Sequence, residues 1–213
     1  MIAIIDVSGN NLTSLGNALK QLGYSYQFTH DEEEILKASH VIIPGVGAAP
    51  AGMQALQEYQ LISAIKQLKQ PTLGICLGMQ LLAEFSEEGD VDCLGLIPGI
   101  VKRLPQAPHC PVPHMGWNTL EWVKQSSLNT GLKEKDYVYF VHSYAFLSDS
   151  SHALAYCDYS TKFTAIIQYK NFYGMQFHPE KSASVGLVLL RNFLEIESSI
   201  VPIGALNETY SCD

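Results

Sequence analysis

Three short apolar runs, "IAIID" (2–6), "HVIIPG" (40–45) and "TLGI" (72–75), have strand length and are separated by segments with helical spacing. In "NLTSLGNALKQLG" (11–23), Leu12, Leu15, Leu19 and Leu22 recur at helical intervals, and Gly23 supplies a stop. "YSYQFT" (24–29) reads as a further strand, "AGMQALQEYQLISAIKQLKQ" (51–70) as a helix closed by Pro71, and "LGMQLLAEF" (77–85) as the next helix. Strands joined by helices return in the same direction. This order therefore predicts an α/β fold with an open, mostly parallel sheet and helices on both faces.

The second half changes character. Pro98, Pro105, Pro108, Pro111 and Pro113 break 98–113 into turns, and strand-like runs follow at 119–123, 137–146, 152–157 and 163–178. The last carries a turn near Lys170–Asn171 and reads as a hairpin, so antiparallel additions are expected here. "SASVGLVLLRNFLEI" (182–196) is a closing helix with Ser182 or Ser184 near its cap. The economical division is one domain over 1–196 and a C-terminal tail, 197–213, that reads as poorly ordered.

The 213 residues suffice for one sizeable core, with 47% hydrophobic and 16% charged residues. A formal charge of −8 argues against nucleic acid or an anionic membrane as partner. No apolar run is long enough to span a bilayer, and "MIAIIDVSGN" has neither basic leader nor cleavage site. The five cysteines (76, 93, 110, 157, 212) are scattered without C-x-x-C, which suits a reducing cytoplasm. No metal or other cofactor is expected. His109, Cys110 and His114 crowd a proline-stiffened segment and make a poor zinc set. The sequons at Asn11 and Asn207 then carry no meaning.

Cys76 lies between Gly74 and Gly78 at the junction of a strand and a helix. G-x-C-x-G in that place has the layout of a nucleophile elbow: the glycines permit a turn too tight for side chains, and the nucleophile projects at the carboxyl end of the sheet. The first amides of the following helix face the sulfur and favour thiolate, and Leu77 N–H is placed to receive an oxyanion. A buried small side chain in a packing turn is the plainer alternative.

A thiolate nucleophile needs an acid–base partner. His178, in "GMQFHPEKS", follows a strand-like run and precedes Pro179, which puts it on the same rim as Cys76. Glu180 stands two positions on. In an extended segment it would point the same way as His178 and orient the imidazole as the third member of a triad.

"GICLGMQ" with a distant "FHPE" resembles the class I (triad) glutamine amidotransferases. "PGVG" (44–47), "PHMGWN" (113–118), "FVHSY" (140–144) and "HPEKS" (178–182) together resemble the HisH-type glutaminase subunits of imidazole glycerol phosphate synthase, from residue 2 to about 196. The resemblance implies a flavodoxin-like fold. It also implies that Cys76 attacks the side-chain amide of glutamine, that His178 passes a proton to the departing ammonia, and that Glu180 holds His178. It places the substrate by Gln80 and the backbone of His142, Ser143 and Tyr144. In "PGVG", Gly45 and Gly47 let the peptide between Gly45 and Val46 rotate, and the family uses such a loop to present a second oxyanion donor, here Val46 N–H. Relatives often carry a bulky residue after this loop, whereas Ala48 and Ala49 follow here. The partner implied is a HisF-type (β/α)8 cyclase, bound as a heterodimer and fed ammonia through a channel in histidine biosynthesis. Met115, Trp117, Asn118, Tyr139 and Lys181 are the interface candidates.

Three other readings share some of these motifs. A sister glutaminase serving another synthase (anthranilate, pyridoxal phosphate or sugar-amidating) would keep the triad. A stand-alone cysteine hydrolase would need no partner. A binding module that has lost catalysis is disfavoured by the intact Cys76, His178 and Glu180.

Overall fold

Residues 1–6, 12–147 and 151–197 are described in the structure, a computed structural model. Asn11, Asn207, Cys212 and all of the expected tail beyond Glu197 lie outside the described residues. The first half runs β1 (Ile2–Ile4), α1 (Thr13–Gln21), β2 (Tyr26–Phe28), α2 (Glu32–Lys37), β3 (His40–Gly45), α3 (Ala49–Glu58), α4 (Ile62–Gln67), β4 (Thr72–Cys76) and α5 (Leu77–Leu81). The second half adds β5 (Phe85–Ser86), β6 (Val91–Asp92), β7 (Ile100–Arg103), β8 (His114–Thr119), β9 (Glu121–Trp122), β10 (Tyr137–His142), β11 (Tyr144–Phe146), β12 (Ala153–Asp158), β13 (Lys162–Tyr169), β14 (Phe172–Met175) and α6 (Ala183–Leu194).

The main sheet has the order β2-β1-β3-β4-β14-β13-β12-β9. Pairing is parallel from β2 to β14 and antiparallel from β14 to β9. The two-residue period of the strands sorts their side chains into two cores. Ile2, Ile4, Ile42, Leu73 and Ile75 meet Leu15 and Leu19 of α1 and Leu189, Leu190 and Phe193 of α6. Ala3, Ile5, Val41 and Ile43 meet Ile35 of α2, Leu56 of α3, Ile65 of α4 and Leu81 of α5. Two smaller sheets stand beside it: a ribbon of β8 and β10, and four strands in the order β11-β7-β5-β6.

The structure departs from the sequence reading at several places, each with a local cause. The single helix expected over 51–70 is two, divided where Gln60 takes φ 59°. Helix α5 stops at Leu81 because Leu82 and Ala83 turn their carbonyls to the amides of Leu96, Ile97 and Gly95. Helix α2 was not anticipated; Asp31 caps it by accepting from Glu34 N–H at 2.9 Å. The proline-rich 98–113 segment contains β7. The run 137–146 is two strands, parted at Ser143, where the chain leaves β8 and pairs with β7. Gly23, at φ 85°, does end the first helix, and the β13–β14 hairpin turns at Lys170, φ 55°.

Candidate active site

Strands β3, β4 and β14 are parallel, so their carboxyl ends share one rim. Cys76 is the last residue of β4 and pairs with Gly45 of β3. It holds φ 52° and ψ −109°, a backbone state that costs a non-glycine residue about 1–3 kcal/mol. The flanking glycines explain how the turn closes. A Cβ on Gly78 would lie 1.7 Å from the carbonyl oxygen of Ile43, and one on Gly74 would lie 2.6 Å from the carbonyl of Gly78. Helix α5 therefore rests directly on β3 and β4, and the thiol, 7% exposed, is presented at the rim.

His178 reaches that rim from the segment after β14. Its Nδ1 lies 2.9 Å from Glu180 Oε1, and it lines the same cavity as Cys76, whose thiol donates to Val141 O at 3.7 Å. The His178 side chain is buried and that of Glu180 nearly so. Burial alone would lower the imidazole pKa, but the electrostatic interactions with Cys76 and Glu180 outweigh it and hold the group at about 10. The local backbone differs from expectation: Pro179–Lys181 is a turn of 3-10 helix, not an extended strand, and that turn folds Glu180 back under the ring. Ser182 locks it, donating to His178 O at 2.7 Å and accepting from Tyr139 N–H at 2.9 Å. No side-chain cap bond is made by Ser182 to α6; its hydroxyl serves the His178 loop instead.

A cavity of about 260 Å³ opens onto Cys76 and His178. Val46, Gly47 and Leu77 form one wall, and Gln80, His142, Ser143 and Tyr144 another. Gly45 lines a smaller recess with Val46, His178 and Glu180. Gly47 has φ 113°, so the glycine there serves a left-handed turn. Gln80 Nε2 donates to Tyr144 O at 2.7 Å and to Gln176 Oε1 at 3.1 Å. His142 turns its ring inward, where Nδ1 donates to Tyr144 O at 2.9 Å and Nε2 accepts from His114 Nδ1 at 3.1 Å. Burial lowers His142 to about 3 and His114 to about 4, so both rings are neutral.

The interface candidates divide by face. Register pairs Tyr139 with Trp117 and Val141 with Met115, so Met115, Trp117 and Tyr139 share the outer face of the ribbon. Met115 is 63% exposed and Trp117 51%, and Trp117 packs edge-on against Tyr139 at 5.7 Å. Asn118 pairs with Val138 on the opposite face, donates to Asp158 O at 2.9 Å and accepts from Thr119 N–H at 2.8 Å. Lys181 is exposed at the mouth of the cavity.

Two residues at the site were not singled out from sequence. Glu88 brings a carboxylate to the cavity wall while its Oε2 accepts from Ala49 N–H at 2.9 Å. It sits in an acidic stretch that reads as solvated loop. Gln176 is fully buried, and its Nε2 donates to Cys76 Sγ at 3.8 Å. A polar residue between the buried Met175 and Phe177 was the signal that could have found it.

A family model described as glutamine amidotransferase class-I matches residues 3–196. The chain is 64% identical to imidazole glycerol phosphate synthase subunit HisH 2 of Legionella pneumophila (strain Philadelphia 1), over 93% of this chain and all of that one. It is 49% identical to the HisH subunit of Haemophilus influenzae (strain Rd), over 91% of this chain and 96% of that one. Among solved structures, a glutamine amidotransferase superposes with TM-score 0.71 at 19% identity, covering 92% of this chain and 98% of that one. A glutamine amidotransferase of Thermotoga maritima superposes with TM-score 0.64 at 19% identity, covering 92% and 96%. The elbow at Cys76, the open sheet that carries it and these matches along nearly the whole chain lead to one conclusion: the chain belongs to the class I glutamine amidotransferases, among the HisH subunits.

Proposed function

We propose that this chain is the glutaminase subunit of an imidazole glycerol phosphate synthase and that Cys76, His178 and Glu180 are its catalytic triad. The observation that carries the reading is the meeting of a strained, cavity-facing thiol with an imidazole that is itself held by a buried carboxylate. In this scheme Cys76 Sγ attacks the side-chain carbonyl carbon of glutamine. The carbonyl oxygen takes the negative charge and is received by Leu77 N–H and, when the loop is turned inward, by Val46 N–H. The carbon–nitrogen bond breaks as His178 gives its proton to the leaving nitrogen, and ammonia departs from a thioester. Water, losing a proton to His178, then attacks the thioester; glutamate leaves and the thiol returns.

Glutamine lies in the cavity between the Val46–Leu77 side and the wall built by Gln80 and His142–Tyr144, with the Glu88 carboxylate as a charge complement for its ammonium group. Ammonia is lost to solvent unless an acceptor waits, which gives the rotatable loop a purpose. The partner we assign is a HisF-type (β/α)8 cyclase, bound as a heterodimer across Met115, Trp117, Tyr139 and Lys181. Exposed aromatic and Met side chains on one ribbon face suit such a contact. Cys76→Ala should abolish glutamate formation, and the parent rate should rise when the cyclase and its ribulosyl nucleotide are added. Equal turnover in the variant would remove the nucleophile assignment, and equal rates with and without the cyclase would remove the partner control.

A further inference from the structure

We propose that Gln176 is a positioning residue: its side-chain amide donates to the sulfur of Cys76 and ties the nucleophile to the substrate wall. This rests on the glutaminase reading and extends it to a residue outside the triad. The orientation of the link is set at a backbone carbonyl, whose chemistry is fixed. Tyr144 O accepts hydrogen bonds and cannot give one. The Gln80 atom that lies 2.7 Å from it must therefore be Nε2. That same nitrogen lies 3.1 Å from Gln176, so the Gln176 atom facing it must be the acceptor Oε1. The remaining end of the Gln176 amide, Nε2–H, is then directed at Cys76 Sγ, 3.8 Å away. One carbonyl thus sets the orientation of two amides in sequence, and the second presents a donor to the nucleophile.

The burial of Gln176 gives the link its strength. The residue has no exposed surface and sits between two buried apolar neighbours, Met175 and Phe177. A primary amide in that place is stable only if its polar atoms are partnered, and the named partners are Gln80 and Cys76. A donor aimed at sulfur favours the anion over the neutral thiol, because an N–H bond to a charged acceptor is about twice as strong as one to a neutral acceptor. The far end of the link is equally anchored. Tyr144 O also accepts from His142 Nδ1 at 2.9 Å, so the carbonyl that orients both amides is held from two sides. Anything that shifts the Ser143–Tyr144 wall is thereby transmitted to the donor on the sulfur.

The test uses the full chain, alone and with the cyclase. Gln176→Met keeps the length and burial of the side chain and removes the donor. Gln176→Glu keeps the acceptor for Gln80 and puts an oxygen where the donor was. Alkylation of Cys76 by iodoacetamide at pH 7, followed on the Cys76 peptide by mass spectrometry, reports thiolate reactivity independently of glutamine turnover. Gln176→Met should lower the alkylation rate and glutaminase kcat together by about 10-fold, with KM changed by less than about 3-fold. Gln176→Glu should lower both by more. An alkylation rate equal to the parent's in a folded Gln176→Met protein would overturn the proposal, even if kcat fell. Should that variant fail to fold, Gln80→Met removes the group that orients the Gln176 amide, and an unchanged alkylation rate there would overturn it equally. Failure of the parent to hydrolyse glutamine with the cyclase present would instead count against the glutaminase reading, while the alkylation comparison would still decide the role of Gln176.

Discussion

Replacing Glu180 by glutamine removes one charge from the triad and almost nothing else. The carboxylate stands 2.9 Å from His178 Nδ1, and the two side chains are 11% and 6% exposed, so water screens the pair little. A hydrogen bond between charged partners in such a place contributes about 1.5–3 kcal/mol. At about 1.4 kcal/mol for each pKa unit, its loss should bring His178 down from about 10 to about 8 or 9. The direction of the linked stability follows. A histidine whose folded pKa is raised stabilises the fold in full below its unfolded value of 6.5, and that stability is lost as pH rises toward 10. In Glu180→Gln the contribution is smaller and disappears at lower pH. NMR titration of the His178 ring gives the pKa directly, and urea unfolding from pH 6 to 10 gives the stability. Glutaminase kcat should fall by about 100-fold to 10,000-fold, because the ring loses the charge that fixes its tautomer and stabilises its protonated form. A His178 midpoint that does not move, with kcat unchanged, would refute the role given to Glu180.

Other outcomes follow from single contacts. Gly78→Ala would put a methyl group 1.7 Å from the backbone oxygen of Ile43, which cannot swing aside, and should destabilise the chain by about 3 kcal/mol or more in urea unfolding. Glu88→Gln keeps the acceptor for Ala49 N–H but loses the charge offered to the substrate ammonium, so KM for glutamine should rise about 10-fold with kcat little changed in steady-state assays. His114 and His142 are buried neutral at about 4 and about 3, so the unfolded chain takes up protons below pH 6.5 that the folded chain does not. Stability should therefore fall as pH drops from 6.5 toward 4, and His114→Gln should lessen that slope by about 1.4 kcal/mol per pH unit in denaturant titrations.

The parallel half of the fold was legible because each buried strand announces itself as a short apolar run and each crossover as a helix-spaced one. Leu15 and Leu19 face one core and Ile43 and Leu56 the other, as two-residue and helical periods require. What was not legible depends on partners distant in sequence. Strands β5 and β6 have two residues each, too few for any period to register. The break at Gln60 is a left-handed residue after which Leu61 N–H turns back to Leu56 O and closes α3, and the early end of α5 arises where its last carbonyls find amides outside the helix. At the site, Cys76 and His178 could be named from glycine spacing and a strand end. Their pairing with Glu180 was named for a backbone conformation the chain does not adopt: the 3-10 turn at Pro179–Lys181 makes the contact instead. Gln176 went unnamed because its partners, Gln80 and Cys76, lie about a hundred residues earlier and meet it only after the sheet has formed. Asn118, grouped with Met115 and Trp117 by sequence, falls on the other face of the ribbon because strand side chains alternate.

The central claim is that the sulfur of Cys76 becomes covalently joined to the substrate while His178 moves the proton. The most direct test is acid quenching of the chain during glutamine turnover with its cyclase, followed by peptide mass mapping. A γ-glutamyl adduct on the peptide containing Cys76, absent from Cys76→Ala and accumulating when His178→Gln slows its hydrolysis, is the result this structure calls for. Turnover accompanied by an adduct on another residue, or undiminished turnover in Cys76→Ala, would contradict it.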